Sequence, residues 1–346
     1  MLFYNLGSPA MWENASFSKF VKRDVNPLGG TQKTRVLYNP NKTMGELHRR
    51  FRQNLLQLDI DLASATAVRK SSARANVGRH RFNRYFFITD IADAFRNVDI
   101  GRLARVLAMH DRSNDVTVEK VQSFLERYCR AHEGGLITGS PSSNDLFNIY
   151  TAWILDRPMR EYCEPRGIVY SRYMDDLTFS SHRPIGVKMR RRIREIVAQA
   201  GFSIGHHKSR VLDLAKQSIE INGIGLEYGG RLYLPRWYLR KMMGLVGQIR
   251  RTRDARLVRK LRGMVGLFWA VTGRGTELNR IEQRTVESCE ATLGGDFRIE
   301  RPAMIVQGGA PRQVVSRVED PACKSKFEWP ASFDEAHRIR SLPRRL

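Results

Sequence analysis

Residues 172–180 read RYMDDLTFS and contain two adjacent aspartates, Asp175 and Asp176. Short runs of strand-forming residues flank the pair, at positions 168–170 (IVY) and 177–179 (LTF). Because aromatic and β-branched residues favour strands, this pattern predicts a β-hairpin with both carboxylates at its tip. Adjacent carboxylates repel each other, so the pair either lies in a solvated turn or binds a cation.

A third aspartate, Asp90, follows another apolar run, residues 85–88 (YFFI), which is typical of a buried strand. If the two strands are neighbours, the three carboxylates converge. Carboxylates, water and substrate phosphates are the ligands that Mg²⁺ prefers. Two such ions about 4 Å apart can stabilise both the attacking and the leaving oxygen of a phosphoryl transfer. The sequence therefore predicts a two-metal site.

The composition excludes several classes of protein. The 346 residues are 42% hydrophobic, which is too apolar for a disordered chain. The longest apolar stretch, residues 264–271, has eight residues, against the roughly 20 needed to span a bilayer. The first residues lack a basic region before an apolar core, and none of the four cysteines forms a C-x-x-C pair. We therefore expect a cytoplasmic protein with no membrane segment.

The charge is strongly positive and unevenly distributed. The net charge is +24, and the isoelectric point is about 10.5. Residues 1–86 carry 15 Lys and Arg against 5 Asp and Glu, and residues 231–262 carry 11 against Asp254 alone. Two basic regions flanking a nearly neutral segment that bears the carboxylates indicate a cleft for nucleic acid.

Strand and helix patterns alternate along the chain. Helical spacing occurs in residues 100–110, 189–200, 235–249 and 257–268, whereas residues 221–226 and 232–234 are typical of a second hairpin that turns at Gly229-Gly230. Hairpins mixed with helices favour an α+β fold over a doubly wound parallel sheet.

Five motifs resemble those of reverse transcriptases and occur in the order found in that family, over about residues 35–270. In chain order they are residues 87–95 (FITDIADAF), residues 136–144 (LITGSPSSN), Tyr173-Met174-Asp175-Asp176 (Y-x-D-D), residues 201–210 (GFSIGHHKSR) and residues 221–226 (INGIGL). Leu234-Pro235-Arg236 follows them. The resemblance implies a right-hand polymerase with an antiparallel palm sheet and a helical thumb. The expected regions are residues 1–84 (N-terminal region and fingers), 85–229 (palm with an interleaved fingers segment), 230–300 (thumb) and 301–346 (C-terminal tail).

Within that family, the chain most resembles the bacterial retron type. Residues 172–180 match the retron form of the Y-x-D-D box, and residues 76–80 (NVGRH) resemble the retron N-A-x-x-H element. Two departures are Val77 in place of Ala, and Ile221-Asn222 in place of the Val-Thr of V-T-G. The resemblance implies a structured noncoding RNA as template and primer, a small RNA-linked DNA product, and a role in antiphage defence with a separate effector protein.

The resemblance also assigns roles to the acidic residues. Asp90 and Asp175 would hold two Mg²⁺, with Mn²⁺ as an alternative, and the Ile91 carbonyl would complete one coordination shell. Asp176 would tune the site and hold a metal more loosely. All three aspartates are therefore candidate catalytic residues.

A second group of candidates would bind the incoming dNTP. Phe95 and its neighbour Ala94 stand at the steric gate against a 2′-OH, although a core position would also explain Phe95. Gly139 lies in the segment that faces the nucleotide, and Thr138 replaces the usual Gln before it. Lys208 is placed to neutralise the triphosphate or to protonate pyrophosphate, and a solvated lysine is its simpler explanation. The candidates for a fingers grip on the triphosphate are Arg35, Arg69, Lys70 and Arg74.

A third group would bind primer and template. It comprises Tyr173, Met174, Gly223, Arg236, Arg240, Lys241, Arg250 and Arg251. The rival hypotheses are an RNA-dependent RNA polymerase, a template-independent DNA polymerase, another defence-associated reverse transcriptase and a catalytically silent RNA-binding scaffold. Phe95 disfavours the first, and retention of all three aspartates disfavours the last.

Overall fold

A computed structural model describes residues 2–24, 33–62, 64–65, 71–113, 115–205 and 209–294. The helices are α1 (Lys42–Leu55), α2 (Ala73–His80), α3 (Ile100–His110), α4 (Val118–Tyr128), α5 (Ser143–Thr151), α6 (Arg157–Cys163), α7 (Val187–Gln199), α8 (Arg236–Thr252), α9 (Ala255–Thr272) and α10 (Arg280–Leu293). The strands are β1 (Phe17–Asp24), β2 (Lys33–Pro40), β3 (Tyr85–Ala92), β4 (Val169–Tyr173), β5 (Asp176–Ser181), β6 (Ser203–Ile204), β7 (Arg210–Asp213), β8 (Ile219–Ile221), β9 (Ile224–Leu226) and β10 (Leu232–Tyr233). The proposed tail, residues 301–346, lies outside the described residues.

The central sheet is antiparallel and has β3 in its middle. Its order is β4–β5–β3, and both β6 and β7 pair with the other edge of β3. Six consecutive residues of β3, from Phe86 to Ile91, are buried, because a middle strand is covered on both faces and flanked by neighbours. This sheet, together with the helices, confirms the predicted α+β class.

The first predicted hairpin is confirmed. Strands β4 and β5 pair directly, and the turn between them consists of Met174 and Asp175. Met174 has a φ of 56°, in the left-handed region that residues other than Gly, Asn and Asp rarely adopt. The Y-x-D-D box is therefore a tight turn with one strained residue before the first aspartate.

The second predicted hairpin is only partly correct. Residues 221–226 do not form one strand, because Asn222 and Gly223 make a two-residue turn that separates β8 from β9. Both residues have positive φ, 50° and 79°, and Asn-Gly is the sequence that such turns favour. The predicted turn at Gly229-Gly230 does follow, between β9 and β10.

The four predicted helices are all present, as α3, α7, α8 and α9. The apolar stripes of α8 and α9 pack with α10 and with the β8–β9–β10 sheet in one hydrophobic cluster, which also includes Phe86 and Ile88 of β3. These helices therefore share one core with the face of β3 that carries Phe86 and Ile88. Among the described residues, no helix is long and apolar enough to cross a membrane.

Candidate active site

The backbone brings the three predicted carboxylates to one edge of the central sheet. Asp90 on β3 lies directly opposite Asp176, the first residue of β5. Asp175 occupies the preceding turn, and its carbonyl accepts a hydrogen bond of 2.9 Å from the Ile91 amide. Asp90 is buried, with 6% of its surface exposed, whereas Asp175 and Asp176 are half-buried. The tight β4–β5 turn is what places two consecutive carboxylates beside β3.

The donor set is suited in kind to Mg²⁺, since it consists of carboxylate and carbonyl oxygens from Asp90, Ile91, Asp175 and Asp176. Within the part of the chain that the structure describes, however, no three Asp, Glu, His or Cys side chains form a group that could hold a metal ion. The strand register therefore brings the three backbone positions close together, whereas the side chains do not converge on a common point.

Gly205 gives the Asp90 carboxylate its space, a role that the sequence reasoning missed. A Cβ on residue 205 would lie 2.3 Å from Asp90 Oδ1, so only glycine fits without a shift. The Gly205 amide also donates to the Asp90 carbonyl at 2.9 Å. An isolated glycine immediately after the strand-forming Ser203–Ile204 pair was the available signal, because such glycines often mark a close approach.

A buried ion pair between Arg172 and Asp156 contacts the backbone of the strained Met174 turn. Arg172 is fully buried, and its guanidinium donates to both carboxylate oxygens of Asp156 at 2.8–3.1 Å. The same guanidinium donates to Asn148 Oδ1 at 2.8 Å and to the Met174 carbonyl at 3.1 Å. Burial opposes the charge, yet the Asp156 carboxylate outweighs it and raises the pKa of Arg172. Arg172 therefore ties the Met174 turn to the helical layer behind it.

We expect Asp156→Ala to destabilise the fold by about 3–5 kcal/mol, because it leaves the Arg172 charge buried without its carboxylate. Urea unfolding of the full chain measures this difference. Asp61→Ala is a matched control, since Asp61 pairs with Arg160 at an exposed position and such pairs contribute about 1 kcal/mol or less. Equal losses of unfolding free energy in the two variants would show that the buried pair matters no more to stability than the exposed one.

Phe95 lies in the loop that follows β3, and it is half-buried. Its ring stacks on Phe147 of α5, with centroids 4.8 Å apart and planes 20° apart. Ala94 beside it is buried. The packing explanation for Phe95 is therefore partly right, since one face of the ring is held by a core aromatic. Stacking on Phe147 therefore restricts the Phe95 ring, in the loop that follows the strand carrying Asp90.

Gly139 lies against the β2 strand, which pairs with β1 to form a separate ribbon. The Tyr38 amide donates to the Thr138 carbonyl at 2.9 Å, and a Cβ on Gly139 would lie 2.8 Å from the Tyr38 carbonyl oxygen. The imidazole of His48 on α1 contacts the hydroxyl of Ser140 at 2.6 Å, which anchors the same segment. The β1–β2 ribbon and the Gly139 segment therefore pack directly against each other.

The remaining fingers candidates are placed less directly. Arg35 belongs to β2, three residues before Tyr38, and its side chain is not described. Lys208, Arg69 and Lys70 lie outside the described residues. Arg74 lies on α2, and its Nε donates to the Val271 carbonyl of α9 at 3.4 Å. Its contact with the triphosphate stays a prediction.

The candidate primer and template residues fall into two places. Tyr173 is the last residue of β4, and Met174 and Gly223 lie in the two turns beside Asp176, where Asn222 Nδ2 donates to Asp176 Oδ2 at 2.8 Å. Arg236, Arg240, Lys241, Arg250 and Arg251 are exposed on α8. Trp237 on the same helix is half exposed and was not among the candidates from the sequence.

The chain is similar in sequence to known reverse transcriptases. The family profile described as reverse transcriptase (RNA-dependent DNA polymerase) matches residues 22–226. The retron Ec83 reverse transcriptase of Escherichia coli is 23% identical over 266 residues, which cover 73% of this chain and 83% of that protein. The retron Ec86 reverse transcriptase of Escherichia coli is 26% identical over 187 residues, 54% of this chain and 56% of that protein.

Solved structures of telomerases are also similar to this chain. An apo telomerase from Candida tropicalis has a TM-score of 0.45 at 11% identity, over 75% of this chain and 60% of that one. A Candida albicans telomerase bound to a telomeric RNA fragment has a TM-score of 0.42 at 8% identity, over 83% and 62%. This chain spans less than two thirds of either telomerase.

The family assignment rests on the profile and on the site together. The matched residues cover more than half of the chain and include Asp90, Gly139, Asp175, Asp176 and Gly223. The fold brings the three aspartates to one edge of the central sheet, and the Asn222-Gly223 turn of the neighbouring sheet contacts Asp176 there. The chain belongs to the reverse transcriptase family and is an RNA-directed DNA polymerase.

Proposed function

We propose that this enzyme is a retron-type reverse transcriptase that copies a structured noncoding RNA into single-stranded DNA. The observation that carries the proposal is the register of the central sheet, which sets Asp90 opposite Asp176 with Asp175 in the adjoining turn. The similarity to the Ec83 and Ec86 enzymes and the retron form of the Y-x-D-D box support the retron type. Antiphage defence, with a separate effector protein and in the cytoplasm, is the setting we propose.

In this proposal the carboxylates hold the catalytic cations. Asp90 and Asp175, with the Ile91 carbonyl, would bind two Mg²⁺ or Mn²⁺, and Asp176 would contact one of them more loosely. When bound, the ions would stabilise the attacking hydroxyl and the leaving pyrophosphate of an in-line displacement. Gly205 keeps the space beside Asp90 open, and Arg172 holds the turn that carries Asp175.

The dNTP would lie between the sheet edge and the β1–β2 ribbon. Phe95 with Ala94 would exclude the ribose 2′-OH, and Gly139 would let the nucleotide approach the backbone of its segment. Arg35 and Lys208 would contact the triphosphate. The corresponding regions are fingers in residues 1–84, palm in 85–229 and thumb in 230–300.

The nucleic acid would run from the turns beside Asp176 onto the thumb. Tyr173, Met174 and Gly223 would contact the primer end, and the exposed basic face of α8 would follow the phosphates. Trp237 lies one turn from Arg240 and Lys241, so it could stack on a sugar or base at the same face.

The proposal is tested by the nucleic acid that copurifies with the full chain expressed from its native locus. We expect one structured RNA species carrying covalently attached DNA, detected by sequencing with and without ribonuclease treatment. The Asp90→Asn variant should copurify with the same RNA, but without attached DNA. Random RNA with no attached DNA, or DNA that persists with Asp90→Asn, would contradict the proposal.

The thumb assignment predicts a change in salt dependence. Arg250→Gln, Arg251→Gln and Arg253→Asn together remove three exposed charges, with Asn at 253 because that residue has a φ of 51°. Each lost phosphate contact should reduce the slope of log K against log[salt] by somewhat under one unit, so the total is roughly two to three. Titrating the copurified RNA at several salt concentrations measures the slope.

A control with the same charge change separates binding from net charge. Arg112, Arg191 and Arg192 each lie in an exposed ion pair away from α8 and α9. Replacing these three with Gln should leave the slope within about half a unit of wild type. If both triple variants change the slope equally, the phosphate contacts are not on the thumb.

A further inference from the structure

A line of buried and half-buried polar side chains ends at Asp176. Asn222 Nδ2 donates to Asp176 Oδ2 at 2.8 Å, and Asn76 Nδ2 donates to Asn222 Oδ1 at 2.6 Å. Ser171 Oγ donates to Asn76 Oδ1. The residues come from three separate parts of the chain, the β8–β9 turn, α2 and β4. Together they form a connected path from the protein interior to the active-site edge.

The path continues through a buried histidine. His80 Nε2 lies 2.7 Å from Ser171 Oγ, and His80 Nδ1 lies 2.7 Å from Ser180 Oγ. Asn83 Nδ2 donates to Ser180 Oγ at 2.8 Å. His80 is fully buried, and burial lowers its pKa to about 3, so the ring is neutral and carries one N–H.

The hydrogen bonds can run in one direction only. A carboxylate accepts and never donates, so Asn222 must turn its amide nitrogen to Asp176 and its oxygen to Asn76. Asn76 then directs its own oxygen to Ser171, and the single hydroxyl proton of Ser171 is donated to that oxygen. Ser171 Oγ must therefore accept from His80 Nε2–H, and the bare Nδ1 accepts from Ser180. Reversing any link would set two acceptors or two donors against each other.

We propose that Asn222 is a positioning residue, which fixes the orientation of the Asp176 carboxylate and is itself held by the chain Asn76–Ser171–His80–Ser180. The proposal rests on the proposed role of Asp176 at the cation site. It also accounts for two sequence features at once, the N-x-x-x-H spacing of Asn76 and His80 and the asparagine at position 222. Both contribute side chains to the same chain of hydrogen bonds.

The functional consequence is a carboxylate that is already oriented before a cation binds. An aspartate free to rotate must give up that freedom on binding, which weakens the affinity. Removing a residue that orients a ligand from behind typically lowers metal affinity 10–100-fold. Because Asn222 would act through Asp176, its effect should fall on metal dependence and much less on dNTP affinity.

A matched pair of variants isolates the hydrogen bond. Thr and Val have the same shape and the same strain at the 50° φ of residue 222, but only Thr carries a hydroxyl, which can both accept and donate a hydrogen bond. Two titrations of the full chain are needed: Mn²⁺ binding to the RNA-free protein, followed by electron paramagnetic resonance, and Mg²⁺ dependence of primer extension. We expect Asn222→Val to weaken both about tenfold or more, and Asn222→Thr by about threefold or less.

Equal behaviour of the Thr and Val variants, with both folded as judged by circular dichroism, would overturn the proposal. If β-branching at residue 222 prevents folding, Asn222→Ser and Asn222→Ala provide the same comparison without it. Wild-type protein that neither binds Mn²⁺ nor extends a primer would instead contradict the proposed function itself, so the two failures are distinguishable.

The direction of the chain is tested separately by histidine-selective ¹⁵N NMR. We expect His80 to show the Nε2–H tautomer at pH 7, with its resonance identified by its absence from a His80→Gln variant. The Nδ1–H tautomer would reverse the link to Ser171 and overturn the assignment. This measurement needs neither a bound cation nor an active enzyme.

Discussion

Asp175→Asn is expected to lower dNTP incorporation by about a thousandfold or more while RNA binding stays within about twofold of wild type. The substitution keeps the size of the side chain and the hydrogen bond from Ile91 to the residue 175 carbonyl, which belongs to the backbone. It removes one negative charge where two cations would bind. A loss of roughly 4 kcal/mol of transition-state stabilisation corresponds to this thousandfold change.

Primer extension under single-turnover conditions measures the effect, and a filter-binding titration with the copurified RNA measures binding. Asp176→Asn is expected to reduce incorporation as well. Asp59→Asn is the control for loss of one negative charge, since Asp59 is exposed and pairs only with an exposed arginine, Arg112, among the contacts described. Incorporation by Asp175→Asn within tenfold of wild type would contradict the polymerase site.

Phe95→Val is expected to lower the preference for dGTP over rGTP at least about tenfold. The Phe95 ring cannot easily move aside, because it stacks on Phe147 at 4.8 Å, and Phe147 is itself fully buried. Truncating the ring opens space for a 2′-OH beside the loop that follows Asp90. A tenfold change in discrimination corresponds to about 1.4 kcal/mol, a typical effect of one steric contact.

The measurement is the ratio of kcat/KM for dGTP and rGTP in both proteins. Phe202→Leu is a matched control, because Phe202 contacts the same Phe147 ring edge-on at 6.2 Å but lies on a different segment. Its selectivity should stay within about twofold of wild type. An unchanged ratio in Phe95→Val would show that Phe95 only packs and that another residue excludes the 2′-OH.

Part of the site was predictable because its signals are local. The strand before Asp90, the hairpin that carries Asp175 and Asp176, and helices α3, α7, α8 and α9 follow from side-chain periodicity within short windows. The split of residues 221–226 was missed because apolar residues on both sides suggested one strand, while Asn222-Gly223 is itself a turn sequence. The Asn-Gly pair indicated a turn there, but the apolar residues around it favoured the prediction of one continuous strand.

The supports of the site were not predictable in this way. Arg172 and Asp156 are 16 residues apart, and although Arg172 belongs to the matched motif, nothing in the sequence pairs it with Asp156. Gly205 matters only because the Asp90 side chain comes within 2.3 Å of where its Cβ would lie. Their roles depend on which elements pack together, and no periodicity reports that.

The sequence by itself determined the order of the motifs, the strand and helix periods and the positions of the three aspartates. Only the tertiary structure decided that Asn222, Asn76 and His80, separated by up to 146 residues, join in one chain of hydrogen bonds behind Asp176. The physical reason is that strand and helix formation depends on neighbours within a few residues. A buried hydrogen bond forms instead when packing brings a donor and an acceptor together, wherever they lie in the sequence.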